Sequence, residues 1–163
     1  MAITKVGVLG CGLMGSGIAQ VCAQSGHDTL VLDVSQELVD KGIANIGRFL
    51  NGGVEKGKIT KEDRDRTLAN LKGTTDVARF ADRDLIMEAV IENLRAKREM
   101  FNKLDAVCGP ATIFASNTSS LSITELAAGT KRPGQVERIH FINPDHRMRL
   151  LEVVRALETS EET

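Results

Sequence analysis

Five polar residues in this 163-residue sequence stand where apolar runs end and chemistry can begin: Glu92, Ser119, His140, Asn143 and Glu152. Hydride transfer between a hydroxyl carbon and a nicotinamide needs a base for the hydroxyl proton, and an imidazole titrates in the right range. A carboxylate that fixes the imidazole and stabilises its cation completes such a pair. His140 and Glu152 supply those two groups, and they meet if the runs carrying them form an antiparallel hairpin. A histidine beside apolar residues also serves as a satisfied core residue, and from position alone that alternative stays open.

A nicotinamide needs its own cradle, and one is written near the start of the chain. The apolar run Val6-Gly7-Val8-Leu9 leads into Gly10-Cys11-Gly12-Leu13-Met14-Gly15, and small and apolar residues follow at helical spacing. Strand, glycine turn and helix in this order are a dinucleotide site. Gly10 allows the tight turn, Gly12 lets a pyrophosphate approach the backbone, and Gly15 lets the helix lie close. The free N–H groups of the helix start face the phosphates. The next apolar run, Thr29 to Leu32, ends at Asp33, where a carboxylate accepts ribose hydroxyls and repels a 2′-phosphate. NAD is therefore expected over NADP.

The elements that position these residues alternate strand and helix. A first helix is expected from about Gly15 to Gln24, and a second strand ends at Asp33. A helical hairpin follows over about residues 35–71, with Ser35 and Thr60 as N-caps and Asp63 in a capping box. Asn51-Gly52-Gly53 is expected to weaken its first helix, and Lys56-Gly57-Lys58 to turn the chain. The second helix, to about Leu71, is highly charged. This hairpin is either a solvated insertion or an arm offering Lys56, Lys58 and Lys61 to phosphates, and the residues alone leave both open.

Further strands are expected at Gly73–Thr75, Asp84–Ala89, Thr112–Ser116, Gln135–Phe141 and Met148–Val154, the last as an antiparallel edge. The fold class is α/β: a Rossmann-type doubly wound, mostly parallel sheet with a helical-hairpin insertion after the second strand. The whole of 1–163 reads as one NAD-binding domain.

Composition narrows the function classes. The chain is 42% hydrophobic and 26% charged with a formal net charge of −1, which argues against a nucleic-acid surface. No apolar run approaches a membrane span, and Met1 to Lys5 enters the first strand without room for a leader, so a cytoplasmic location is expected. The three cysteines, Cys11, Cys22 and Cys108, lack metal or disulfide spacing and read as reduced fillers, with no metal site.

Four blocks in order resemble a known family. They are Gly10–Ala19, Glu88-Ala89-Val90-Ile91-Glu92-Asn93, Ala115–Leu121 with its Asn117-Thr118-Ser119-Ser120, and His140-Phe141-Ile142-Asn143-Pro144. Together the chain resembles the NAD-binding domain of 3-hydroxyacyl-CoA dehydrogenases, particularly the bacterial 3-hydroxybutyryl-CoA dehydrogenases. The resemblance implies His140 as general acid/base with Glu152 as its partner, and Ser119 and Asn143 on both substrate and nicotinamide. It implies NAD contacts from Gly10, Gly12, Leu13, Met14, Gly15, Asp33, Ala89, Glu92 and Lys97, and makes the hairpin with Lys56 a coenzyme A arm. The implied reaction oxidises an L-3-hydroxyacyl-CoA to the 3-oxoacyl-CoA.

The sequence departs from that family at Glu137-Arg138, where an apolar residue and a glycine are usual, and at His146, where proline is usual. Adjacent strand residues face opposite sides, so the sixth strand is expected to be more exposed than in relatives, or locally rearranged. The family's helical second domain lies beyond Thr163, so apolar surface near the last two strands and self-association into a homo-oligomer are expected. Two alternatives stay open: a cofactor-binding module without turnover, and a related dehydrogenase of a free 3-hydroxy acid.

Overall fold

The computed structural model describes residues 2–141 and 151–163. Asn143 and His146 lie outside the described residues. A seven-stranded sheet has the order β3-β2-β1-β4-β5-β6-β7. Its strands are β1 (Lys5–Leu9), β2 (Asp28–Leu32), β3 (Leu71–Thr74), β4 (Leu85–Glu88), β5 (Ile113–Ser116), β6 (Val136–Phe141) and β7 (Leu151–Arg155). All neighbours run parallel except β6 and β7. The expected doubly wound sheet with an antiparallel edge is the observed one.

Among the described residues, five α-helices cover the two faces: α1 (Leu13–Gln24), α2 (Gln36–Glu55), α3 (Lys61–Ala69), α4 (Leu94–Val107) and α5 (Ile123–Ala127). Val8, Ile18, Val31, Val39, Ile46 and Leu50 form one core between the sheet and α1–α2. Leu9, Ile86, Phe101, Leu104, Phe114 and Leu126 form the other, under α4 and α5. Successive residues of β1 thus feed opposite cores, as a parallel sheet covered on both faces requires. The strand order reverses between β1 and β4, and that crevice at the carboxyl ends is where such sheets bind ligands.

Several boundaries differ from expectation for physical reasons. Asn51-Gly52-Gly53 does not weaken α2, which continues to Glu55. Val39, Ile46 and Leu50 are buried, and this packed face outweighs the roughly 1 kcal/mol that each interior glycine costs. Gly53 is also useful there, because a Cβ would sit 3.2 Å from Ile59 Cγ1 as the chain folds back. The helix stops at Gly57, whose φ of +64° lies in the left-handed region. Ser35 and Thr60 cap their helices as expected, Thr60 with Asp63 in the full capping box. Helix α3 ends at Ala69, and Leu71 belongs to β3 instead.

Strand β6 is neither exposed nor rearranged. It pairs regularly on both sides, Glu137 is buried at 7% exposure, and Arg138 turns to the opposite face. Burial pushes the Glu137 carboxyl above the usual glutamate value, and it has no hydrogen-bond or ionic partner among the described residues. Apolar surface is exposed on β7, at Leu151 and Val153.

Candidate active site

The glycine turn is built as its spacing requires. Gly10 has φ +97°, and a Cβ there would lie 2.7 Å from the Ala89 carbonyl oxygen. A Cβ on Gly15 would fall 1.9 Å from the Gly10 carbonyl oxygen, so the first turn of α1 can lie against the glycine turn only with glycine at this position. A Cβ on Gly12 would meet nothing within 4 Å. The turn therefore opens a space at the start of α1, whose N-cap, Gly12, makes no side-chain cap. The unpaired N–H groups of that first turn and its positive dipole end suit an anion.

Asp33 closes this cradle from β2. Its Oδ2 accepts the Cys11 N–H at 2.7 Å and its Oδ1 accepts the Val34 N–H at 2.7 Å. The carboxylate is thus held rigid beside the turn with lone pairs to spare for ribose hydroxyls. Cys11 fills space against Gly42. Burial, then the neighbouring Asp33, push its thiol up to about 12, so it stays protonated and inert.

A cleft of about 300 Å³ lies next to the turn and is lined by Met14, Ala89, Glu92, Lys97, Ser119 and His140, with Val90, Asn117 and Phe141 completing its wall. Five of the predicted cofactor-side residues therefore share one cavity with the predicted base. Leu13 stands on the exposed start of α1.

Strand register brings His140 and Glu152, the expected acid/base pair, together. In the β6–β7 hairpin His140 pairs directly with Glu152, and His140 Nδ1 lies 3.5 Å from Glu152 Oε2. The backbone next to His140 is fixed as well, because the Phe141 N–H donates to Asn117 Oδ1 at 2.8 Å. Asn117 thereby ties the end of β5 to the end of β6. Ser119 is exposed at the cleft, and its hydroxyl has no partner among the described residues.

A polar network forms the floor. Lys97 is 1% exposed, and its Nζ lies 2.7 Å from Glu88 Oε1, 3.1 Å from Glu92 Oε2 and 3.5 Å from the Val90 carbonyl. Glu88 is fully buried and also accepts from the Ser116 hydroxyl at 2.6 Å and the Val90 N–H at 2.7 Å. Glu92 accepts from the Thr118 hydroxyl and, at 3.2 Å, from the Ser120 hydroxyl. Burial works to raise the Glu92 carboxyl, but Thr118, Lys97 and Ser120 outweigh it and hold it below the usual range. An ionised Glu92 therefore faces the cleft.

Lys56 is not part of this cleft. It caps the C-terminus of α2, a twenty-residue helix about 30 Å long at 1.5 Å per residue. There it lines a separate cavity of about 430 Å³ with Gln24, Arg48, Phe49 and Lys58. The hairpin is also less of a free arm than its polarity suggests, since α2 packs into the core through Val39, Ile46 and Leu50.

Sequence reasoning passed over Glu88 and Asn117 at this cleft. A glutamate closing the run Leu85-Ile86-Met87 was the available signal, because a buried carboxylate requires a partner. Asn117 was visible only as part of a hydroxyl-rich loop.

The profile of the family described as 3-hydroxyacyl-CoA dehydrogenase, NAD binding domain, matches residues 5–163. The chain belongs to the 3-hydroxyacyl-CoA dehydrogenase family. Within that family it is 46% identical over 159 residues to a probable 3-hydroxybutyryl-CoA dehydrogenase of Deinococcus radiodurans, covering 98% of this chain and 57% of that protein. It is 44% identical over 160 residues to a 3-hydroxyadipyl-CoA dehydrogenase of Escherichia coli, covering 98% and 34%. The crystal structure of (S)-3-hydroxybutyryl-CoA dehydrogenase from Ralstonia eutropha matches with a TM-score of 0.96 at 40% identity, covering 99% of this chain and 57% of that one. The chain thus spans little more than half the length of these relatives at most. What it matches is their NAD-binding domain, as the glycine turn requires. Among the described residues no helix is long and apolar enough to cross a membrane.

Proposed function

We propose that this chain is the NAD-binding part of an enzyme that oxidises an L-3-hydroxyacyl-CoA, short-chain in the manner of 3-hydroxybutyryl-CoA, to the 3-oxoacyl-CoA. The observation that carries the reading is His140, 3.5 Å from Glu152 on the paired strand, lining the same cleft as Met14, Ala89 and Glu92.

The residues fit the cofactor. Gly10, Gly12 and Gly15 open the pyrophosphate space, the N–H groups at Leu13 and Met14 face it, and Asp33 takes the ribose. Ala89, Glu92 and Lys97 border the nicotinamide end. NAD held there would supply the hydride acceptor for the substrate carbon. His140 takes the hydroxyl proton in oxidation and returns it in reduction. Glu152 orients the imidazole and stabilises its cation, in the way a carboxylate does for a histidine base. Ser119 offers its hydroxyl, which has no partner among the described residues, to the substrate oxygen, a role shared with Asn143. Lys56, at the far end of α2, meets the phosphates of coenzyme A.

The test follows NADH fluorescence in a single cuvette. Sequence composition helps, because the chain has no Trp and no Tyr. NADH is titrated first and acetoacetyl-CoA is added next. Binding followed by acyl-CoA-dependent loss of nicotinamide signal supports the reading. Binding without oxidation marks a cofactor module whose chemistry needs the rest of the enzyme, and a chain that does not bind NADH overturns the reading.

A further inference from the structure

Arg138 lies on the same face of β6 as His140 and diagonally across from Glu152, since Arg138 pairs with Val154 and His140 with Glu152. Its Nη2 stands 3.3 Å from Glu152 Oε2. That same oxygen stands 3.5 Å from His140 Nδ1. One carboxylate oxygen therefore faces both an imidazole and a permanent cation.

The burial of the two ion-pair partners is uneven. The Arg138 side chain is 20% exposed and that of Glu152 is 51% exposed. Arg138 Nε is buried without an acceptor, so this guanidinium has lost water there and keeps Glu152 as its sole partner among the described residues. An arginine left so short of acceptors holds its one carboxylate in place. An exposed glutamate on an edge strand otherwise has freedom to swing into solvent.

We propose that Arg138 is a positioning residue for the His140–Glu152 pair, anchoring the carboxylate beside β6 and offsetting its charge. This rests on the acid/base reading of His140 given above. Glu152 alone draws a proton onto the imidazole. The guanidinium, which shares that oxygen with the imidazole, opposes this draw. His140 and Arg138 therefore share one carboxylate oxygen, whose charge the guanidinium partly offsets.

Among the described residues, the other charged groups near His140 do not replace this effect. Across the cleft, Glu92 and Lys97 form their own ion pair, and Lys97 is shared with buried Glu88. Asn117 and Ser119 are neutral. Among the described residues, Arg138 is the one cation that contacts Glu152.

The test reads the imidazole directly. The chain has three histidines, His27, His140 and His146, so side-chain NMR resolves each, with His140→Gln assigning the signal. In Arg138→Gln and Arg138→Met the half-titration pH of His140 rises by about 0.5 to 1 unit, three- to tenfold in proton affinity. Arg138→Lys retains the charge and stays near the unmutated value. Glu152→Gln lowers it, and adding Arg138→Gln to that variant produces a smaller rise than in the unmutated chain. A His140 signal that stays put or falls in both Arg138→Gln and Arg138→Met overturns the proposal. Because Met keeps the buried stem, a folding failure of the Gln variant alone does not decide the matter. Turnover surviving in His140→Gln would instead sink the acid/base reading while leaving this coupling intact.

Discussion

Replacing Asp33 by alanine removes two acceptors at once, those of the Cys11 and Val34 N–H groups, each at 2.7 Å. It also removes the negative charge at the end of β2. Asp33 is only partly buried, so water reaches the freed N–H groups and the cost to folding is about 1 kcal/mol. The cost to cofactor binding is larger in effect, because charged hydrogen bonds to the ribose are lost. About 1–2 kcal/mol corresponds to a five- to thirtyfold rise in Kd for NADH. NADPH behaves oppositely. Its 2′-phosphate meets a carboxylate in the unmutated chain, so it binds more weakly than NADH there, and the Asp33→Ala change narrows that gap. The assay is a pair of fluorescence titrations on each protein, with urea unfolding alongside to separate binding from stability. Equal affinity of the unmutated chain for NADH and NADPH would refute the reasoning, as would an Asp33→Ala variant that binds NADH undiminished.

Three further outcomes are expected. Lys97→Met leaves fully buried Glu88 without its cation, and urea unfolding should show a loss of about 3–5 kcal/mol; a loss below 1 kcal/mol would contradict the network. Glu137 has its carboxyl raised by burial above the usual 4.5, so the folded chain resists its ionisation, and the stability present below that value is lost as pH rises through the folded one. Glu137→Gln should therefore be more stable than the unmutated chain at pH 7, with the advantage shrinking toward pH 4, as thermal unfolding across pH will show. Gly47 sits in α2 with nothing within 4 Å of a new Cβ, and Gly47→Ala should raise stability by roughly 0.5–1 kcal/mol in the same urea assay.

The parts legible in the sequence were those fixed by local chemistry. Gly10, Gly12 and Gly15 each have a backbone reason that spacing alone reveals, and Asp33 follows at the end of the next strand. Ser35, Thr60 and Asp63 announce their helix starts because capping is a local hydrogen-bond problem. The β6–β7 hairpin was legible from the short link, and its register delivered the His140–Glu152 contact.

What stayed hidden depends on tertiary packing. Glu88 and Lys97 come together only because β4 and α4 lie against each other. Arg138 reaches Glu152 along a strand diagonal, which no periodicity displays. Glu137 looked like an exposed charge, yet its face of β6 is covered, and burial rather than solvation sets its state. The glycines of α2 misled for the same reason. A weak local propensity gives way to Val39, Ile46 and Leu50 in the core.

The most direct test of His140 as the acid/base of this cleft is the rate of acetoacetyl-CoA-dependent NADH oxidation, measured side by side for the unmutated chain and His140→Gln, each with its NADH affinity. Loss of a general base predicts a rate lower by about 10²–10⁴-fold with NADH affinity nearly unchanged. An undiminished rate in His140→Gln, or a rate loss matched by an equal loss of NADH affinity, would contradict that role.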